Sequence, residues 1–247
     1  MPRYDFRTPR LFVTPALHQG AMVPLDKAQA NYLSNVLRLD PGDAVLVFNG
    51  RDGEWRAELQ REGKKSVTLG VIAQTRPQHA ACDLHYLFAP LKHARLDYMV
   101  QKAVELGVSR LQPVTTRHTQ AARVNVERMQ ANAIEAAEQC GILTVAETDD
   151  AIPLAKALDT LPDGRVLIFC DEDAETRDPV AALSVIAQGT PLAVLVGPEG
   201  GFAEEERTML LKHPNVVRLA LGPRILRADT AAVAALTLVQ AVVGDWR

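Results

Sequence analysis

The sequence predicts an α/β protein in two parts. A small β-rich barrel covers residues 1–73, a linker follows at 74–80, and a larger α/β domain with a mostly parallel sheet covers 81–247. Three observations carry that prediction. Short apolar or alternating runs separated by Gly, Pro and Asn signals fill the first part, as closely spaced strands of a small barrel require. Beyond residue 81 the rhythm becomes strand, helix, strand, helix, which implies parallel strands with crossover connections. Near the end, two Val/Leu runs at 192–196 and 216–221 each stop at a Gly-Pro pair, Gly197-Pro198 and Gly222-Pro223. The residue before proline is driven out of the helical region and proline cannot donate to a ladder. Both runs therefore read as buried strands ending in loops on one edge of a sheet.

In the barrel, strands are expected at Leu11-Phe12-Val13, 44–48, 54–59 and 66–71. Their separators are Pro41-Gly42-Asp43, the glycine-bracketed run 49–53 and the polar turn 62–65. One helix interrupts them, capped by Asp26, with Ala30, Leu33, Val36 and Leu37 at helical spacing. The linker is polar, contains Pro77 and lacks periodicity. Then follow a strand at 84–89, a helix at 95–106, a strand at 111–114, a helix at 126–140, a strand at 166–170 and a helix at 180–187. The acidic run Glu204-Glu205-Glu206 suits the first turn of the next helix through its dipole. Asp229 is the expected N-cap of the last helix, 230–243, which is apolar nearly all round.

Composition bounds the function. With 247 residues and 47% hydrophobic content, the chain can bury ordinary cores. It contains no apolar run long enough for a membrane span and no signal-peptide core at its start, so a soluble, cytoplasmic protein is expected. Three cysteines without Cys-x-x-Cys spacing argue against a disulfide framework or a zinc site, and six histidines without paired ligand spacing give no metal site. Residues 1–76 hold 11 Lys and Arg against 8 Asp and Glu, whereas the remainder holds 16 against 22. Any RNA-binding surface is therefore expected on the first part, since phosphates are neutralised by Lys and Arg.

The chemistry concentrates in the two late loops. There is no glycine fingerprint after the strand at 84–89 and no Gly-x-x-x-x-Gly-Lys motif, so neither a Rossmann dinucleotide site nor a phosphate-cradling P-loop is expected. The Gly197-Pro198-Glu199-Gly200-Gly201 run is, taken alone, either a ligand loop or a plain tight turn; its paired glycines can reach positive φ and bare their N–H groups.

The segments LVGPEGGFAEEE and LALGPRILRADTAAVAAL together resemble the paired signature of the SPOUT methyltransferases, specifically the RsmE family. The opening Arg10-Leu11-Phe12-Val13, Leu37-Arg38-Leu39, the run 101–108 and 135–141 match the same family. The resemblance implies a PUA-like RNA-binding barrel followed by a SPOUT domain with a C-terminal trefoil knot. It implies S-adenosyl-L-methionine as methyl donor, without a metal, and N3 of a uridine (uracil-1498) in 16S ribosomal RNA as target. The substrate is then the RNA itself or the assembled small ribosomal subunit. It places the cofactor at Leu195, Gly197, Pro198, Glu199, Gly200, Gly201, Leu219, Leu221, Gly222, Ile225 and Leu226. Arg227 and Glu199 become the catalytic candidates, and Arg10 and Arg38 the RNA contacts. Two positions depart from the pattern: Ala203 stands where a Ser or Thr cap is usual, and Ile142 where an arginine is common.

Uracil N3 carries a weakly acidic proton, so its methylation requires a proton acceptor and stabilisation of charge on O2 and O4. Arg227 is expected to stabilise that charge and Glu199 to position the base or accept the proton. The rivals are a ribosomal-RNA-binding module without catalysis, a methyltransferase on another nucleotide, and an enzyme holding a phosphorylated metabolite on the 197–201 amides. The last helix is either a fully buried helix of one domain or the centre of a homodimer, and the resemblance implies the homodimer.

Overall fold

The computed structural model describes residue 5 and residues 7–62, 66–92, 94–120 and 123–246. It separates into two compact units, Met1–Ala80 with Ala137–Val145, and Ala81–Ala136 with Ala146–Arg247.

The first unit is built on β1 (Arg10–Phe12), β2 (Met22–Pro24), β3 (Ala44–Phe48), β4 (Glu54–Glu62) and β5 (Ser66–Arg76), in the order β1-β3-β4-β5-β2. β1 lies parallel to β3 and every other pair is antiparallel. Leu11, Val23, Val45, Val47, Leu59 and Leu69 point into one core, as a half-buried alternating sheet demands. Of the turn expected at 62–65, Glu62 is the last residue of β4 and 63–65 lie outside the described residues. β2, which no pattern announces, has three residues and ends in a proline, and it exists through its pairing with β5.

Helix α1 (Lys27–Asn31) opens as expected. The Asp26 carboxylate accepts the Gln29 N–H at 2.8 Å and the Gln29 side-chain carbonyl accepts the Asp26 N–H at 3.2 Å, a reciprocal capping box. The helix then widens into a π-helical turn, Tyr32–Val36, closed by Leu37 N–H to the Tyr32 carbonyl. Leu33 is fully buried, but Val36 is 61% exposed. The wider turn advances fewer degrees per residue, so the expected helical face does not extend to Val36.

Gln74, Thr75 and Arg76, read from the sequence as linker, are the last residues of β5. Glu54 draws them in. Its side chain is nearly inaccessible and receives Arg10 at 3.0 Å, both nitrogens of the Arg76 fork at 3.1 and 2.9 Å, and the Thr75 hydroxyl at 2.9 Å. Arg10, expected as an RNA contact, is only 9% exposed, and its guanidinium also donates to the Asp5 carbonyl. It serves inside the barrel, because a buried carboxylate 44 residues away claims it.

The second unit contains β6 (Leu84–Phe88), α2 (Ala94–Glu105), β7 (Arg110–Thr115), α3 (Val126–Cys140) up to Ala136, β8 (Glu147–Thr148), β9 (Ile152–Pro153), α4 (Leu154–Asp159), β10 (Val166–Cys170), α5 (Pro179–Leu183), β11 (Leu192–Val196), α6 (Glu204–Leu211), β12 (Val216–Leu219) and α7 (Ala228–Val242). Its strands run β12-β10-β11-β6-β7-β8, with β9 pairing at the far end of β7, and all pairs are parallel. β11 is buried at all five residues, the composition of a strand covered on both faces. α2 buries Met99, Val100, Ala103 and Val104, one stripe at helical spacing.

α7 starts two residues before the sequence reading. Arg227 holds the N-cap position in extended geometry without a side-chain bond, and Asp229 lies in the first turn, where its carboxylate accepts the Thr230 N–H at 2.9 Å. Asp229 thus favours the helix through the dipole and not as the cap.

Burial alone pushes the Glu54 carboxyl up, and the hydrogen bonds from Arg76, Arg10 and Thr75 outweigh it, leaving the group below its ordinary 4.5. A depressed folded value means that this stabilisation is complete above the unfolded value and fades as pH falls through the folded one. Glu54→Ala should cost about 3–5 kcal/mol in chemical denaturation at neutral pH by leaving buried guanidinium unpaired. The gap between wild type and Glu54→Gln should narrow on acidification below 4.5; a gap constant with pH would reject the assignment.

Candidate active site

Register places the functional edge. Val196 lies opposite Phe88, Phe169 opposite Leu195 and Cys170 opposite Leu219, so β6, β11, β10 and β12 end together. From β6 the chain moves outward through β7 and β8, whereas β11, β10 and β12 lie on the other side. Open parallel sheets place ligands at such a reversal, beyond the carboxyl ends of the strands.

The loop after β11 is shaped by contacts at each end. A Cβ on Gly197 would stand 2.4 Å from the Phe202 ring, which packs edge-on against Phe169 with centroids 5.3 Å apart. Gly201 has φ +71 and donates its N–H to the Pro198 carbonyl at 2.9 Å, while its own carbonyl accepts from His118 Nδ1 at 3.1 Å. A Cβ on Gly200 would stand 3.4 Å from the His118 Cβ. Ala203 offers no side-chain cap to α6, and the Glu206 carboxylate compensates by accepting both the Ala203 N–H at 2.9 Å and the Arg117 N–H at 2.8 Å.

The expected cofactor residues fall into two groups. Leu195 and Leu219 are fully buried, Leu195 among Leu87, Phe169 and Ala193, so they support the strand ends from beneath. Gly197, Pro198, Glu199, Gly200, Gly201, Leu221, Gly222, Ile225 and Leu226 lie on the two loops, with Ile225 95% exposed and Leu221 and Leu226 half-buried. Gly201 and Gly222, at φ +71 and +96, have nothing within 4 Å of where a Cβ would stand. Two bare turns thus face open space at strand ends one strand apart, a backbone that fits a nucleoside-bearing cofactor. Of the catalytic candidates, Glu199 is exposed and paired with Arg95 at 2.5 Å, and Arg227 is exposed at the start of α7.

A third loop at this edge, 171–178 after β10, escaped the sequence reading. Asp171 is buried and binds Arg207 of α6 at 3.0 Å and Arg218 of β12 at 2.7 Å, and Arg218 also bonds the Asp173 carbonyl. An aspartate closing a buried Val/Leu strand was the available signal. Beside it, burial and then Asp171 push the Cys170 thiol up to about 12, which keeps it protonated and unreactive.

Two cavities open nearby. One of about 410 Å³ lies beside the loop after β11, with Pro90, Leu91, Lys92, Arg95, His118 and Glu199 in its wall. A larger groove of about 1110 Å³ contains the Asp97–Arg128 ion pair and no residue of either glycine loop. Among the described residues no group of three or more His, Cys, Asp or Glu is placed to hold a metal ion, and no helix is long and apolar enough to cross a membrane.

Residues 78–240 match the model of an RNA methyltransferase domain, and residues 25–72 match that of an RNA methyltransferase PUA domain. The chain is 29% identical to the ribosomal RNA small subunit methyltransferase E of Rickettsia conorii, over 94% of each chain. It is also 29% identical to the protein of the same description from Bacillus subtilis, over 85% of this chain and 86% of that one. Among solved structures it resembles the Neisseria gonorrhoeae ribosomal RNA small subunit methyltransferase E bound to S-adenosyl methionine, with 27% identity, TM-score 0.87 and coverage of 98% of this chain and 100% of that one. A Legionella pneumophila putative methyltransferase in complex with the same cofactor aligns at 28% identity and TM-score 0.83, over 97% and 99% of the two chains.

The packing of Gly197 beneath Phe202 generates a direct test. Gly197→Ala should destabilise the chain by about 1–3 kcal/mol through overpacking, because the methyl must displace a ring wedged on Phe169. Gly197→Ala combined with Phe202→Leu should recover part of that stability; an alanine variant as stable as wild type would remove the glycine requirement.

Proposed function

The chain belongs to the RsmE family of RNA methyltransferases, and we propose that it transfers the methyl group of S-adenosylmethionine to N3 of one uridine in 16S ribosomal RNA. The observation that carries the reading is the pair of open glycine turns on the edge where β11 and β12 end, with the Glu199 carboxylate on one of them. S-adenosylmethionine brings an electrophilic methyl group on a sulfonium sulfur. Exchange of N3–H for N3–CH3 releases one proton, so the chain must provide an acceptor, and Glu199 is an exposed carboxylate on the cofactor loop. Arg227, a cation held at a helix N-terminus where the dipole disfavours it, is suited to the charge developing on the uracil oxygens or to a phosphate.

RNA is read first by the barrel, in a division into residues 1–73 and 81–247. With Arg10 committed internally, Arg38 is the contact to retain. It is exposed and sits at φ +57, a left-handed conformation that a non-glycine residue holds at some cost and that recurs at functional sites. The knot follows from the family, and the last helix supports the homodimer. After the outer strand β12, α7 returns to pack on β11, α2 and α5. It leaves Val233, Ala234 and Leu238 only half-buried and Ala241 exposed, while Tyr98 on α2 is 47% exposed. A second copy would cover this apolar strip. Acting on the small ribosomal subunit or its RNA, the protein would work in the cytoplasm.

The deciding assay incubates the protein with labelled S-adenosylmethionine and small-subunit RNA, free or assembled, and identifies the product by nucleoside mass spectrometry. We expect 3-methyluridine; any other methylated nucleoside replaces the target. In the same assay Arg38→Ala should weaken RNA binding and lower its salt slope by about one unit for each phosphate left unneutralised, with cofactor affinity unchanged.

Ala235 is fully buried within one protomer, so an acidic residue there would unfold the chain and say nothing of association. Leu238→Glu is the informative variant. It should convert a sedimenting dimer to a folded monomer with little methylation. A wild-type protein that sediments as a monomer at micromolar concentration and methylates at full rate refutes the homodimer.

A further inference from the structure

The cavity of about 410 Å³ beside the glycine loop lies within the roughly 300–1,000 Å³ of small-ligand sites. Its wall combines apolar Pro90 and Leu91 with the cations of Lys92 and Arg95 and the Glu199 carboxylate. Arg95, at the start of α2, and Glu199, 104 residues later, meet at 2.5 Å while their side chains stay 41% and 45% exposed. An ion pair so exposed contributes at most about 1 kcal/mol to stability. The fold has little need of it.

The arrangement matches one nucleobase edge. Uracil presents the N3–H donor between two acceptors, O2 and O4, and its complement is an acceptor beside donors. A carboxylate paired with a guanidinium, with an ammonium-bearing residue in the same wall, is such a complement. Cytosine would set an amine against the cations and offer the carboxylate no proton at N3, so this wall discriminates against it.

We propose that this cavity receives the target uracil, turned out of its strand, with Arg95 donating to a carbonyl oxygen of the base while Glu199 accepts the N3–H. The inference rests on the uridine-N3 function proposed above and adds Arg95 as a residue that touches the reacting base. Turning the base out requires unstacking, which a single-stranded target makes easy. The N3–H bond breaks, its proton passes to the Glu199 carboxylate, and the N3 electron pair forms the bond to the methyl carbon. The sulfur–methyl bonding pair stays on sulfur, giving a neutral thioether. As the proton leaves, charge grows on O2 and O4, and Arg95 stabilises it from a position already fixed by α2. Lys92 supplies the second cation of the wall.

The test compares Arg95→Ala and Arg95→Lys with wild type. Single-turnover methylation of target RNA should fall about 100-fold or more in Arg95→Ala, with Arg95→Lys recovering a measurable part. S-adenosylmethionine affinity by calorimetry should stay within about twofold, as for a residue that acts on the base. A second readout needs no turnover. Cofactor-free wild type should bind target RNA more tightly than the same RNA with an abasic target site, and Arg95→Ala should bind the two equally. If Arg95→Ala methylates within about threefold of wild type, or loses cofactor affinity in step with rate, or still distinguishes the abasic RNA, the pocket assignment is overturned while the uridine function stands. A wild type that forms no 3-methyluridine removes both. Should Arg95→Ala fail to fold, Arg95→Gln, which keeps the stem and removes the charge, decides by the same criteria.

Discussion

Asp171 is the carboxylate on which the functional edge depends. It ends the buried strand β10 and meets two guanidinium groups, Arg207 from the helix that follows the first glycine loop and Arg218 from the strand that precedes the second. One buried charge therefore joins the bases of three loops that are distant in sequence and adjacent in the sheet. Removing Asp171 would leave two half-buried guanidinium groups without the carboxylate that holds both, so the arrangement tolerates little drift. Its backbone reach is equally local. The Asp171 carboxylate accepts the Asp173 N–H at 3.1 Å, and Arg218 holds the Asp173 carbonyl, so the first turn of the 171–178 loop is tied from both sides.

A second constraint fixes the other end of α7. Gln240 is fully buried, yet it is satisfied: its amide donates to the Leu106 carbonyl at 2.7 Å and its carbonyl accepts the Asp245 N–H at 3.0 Å. The Leu106 carbonyl lies just past the end of α2, where helix carbonyls lack intrahelical donors. Gly107, at φ +82, and Gly244 flank the amide so closely that a Cβ on either would stand 2.4 or 1.9 Å from its polar atoms. A polar side chain on the otherwise apolar buried face of α7 thus fixes the register of α7 against α2, since sliding the helix one residue would bury the amide without partners.

These contacts explain what was legible in the sequence. The helix at 126–140 and the strand at 166–170 are found at their expected limits because each has a strong period or an uninterrupted apolar run bounded by breakers. β2, β8 and β9 have two or three residues each and carry no pattern of their own; pairing with a neighbour makes them strands. Asp229 was misplaced because the cap rule ranks side chains, whereas the backbone at Arg227 takes the capping geometry with no side-chain acceptor. Arg10 was misread for a related reason: a sequence displays charge but not the buried carboxylate that neutralises it. At the site, the two glycine loops were visible as motifs. Arg95, His118 and Asp171 were not, since each acquires its role through a partner between 36 and 104 residues away.

The loop after β11 is where these constraints meet. Gly197 is held under Phe202, Gly201 is turned by the Pro198 carbonyl and restrained by His118, and Glu206 secures the following helix start, so little conformational freedom remains between 197 and 206. Pro198 and Glu199 lie within that restrained stretch and also line the cavity that contains Arg95. A single rigid turn therefore presents glycine backbone toward the open strand edge and a carboxylate toward the cavity. In the reaction proposed above, rigidity of this kind would lower the barrier where charge moves, because donors and acceptors already in place need not reorganise as the proton departs. A flexible loop with the same residues would bind the same groups and lose that advantage, which gives a physical reason for the packing of Phe202 and the bond from His118 to lie within a few residues of Glu199.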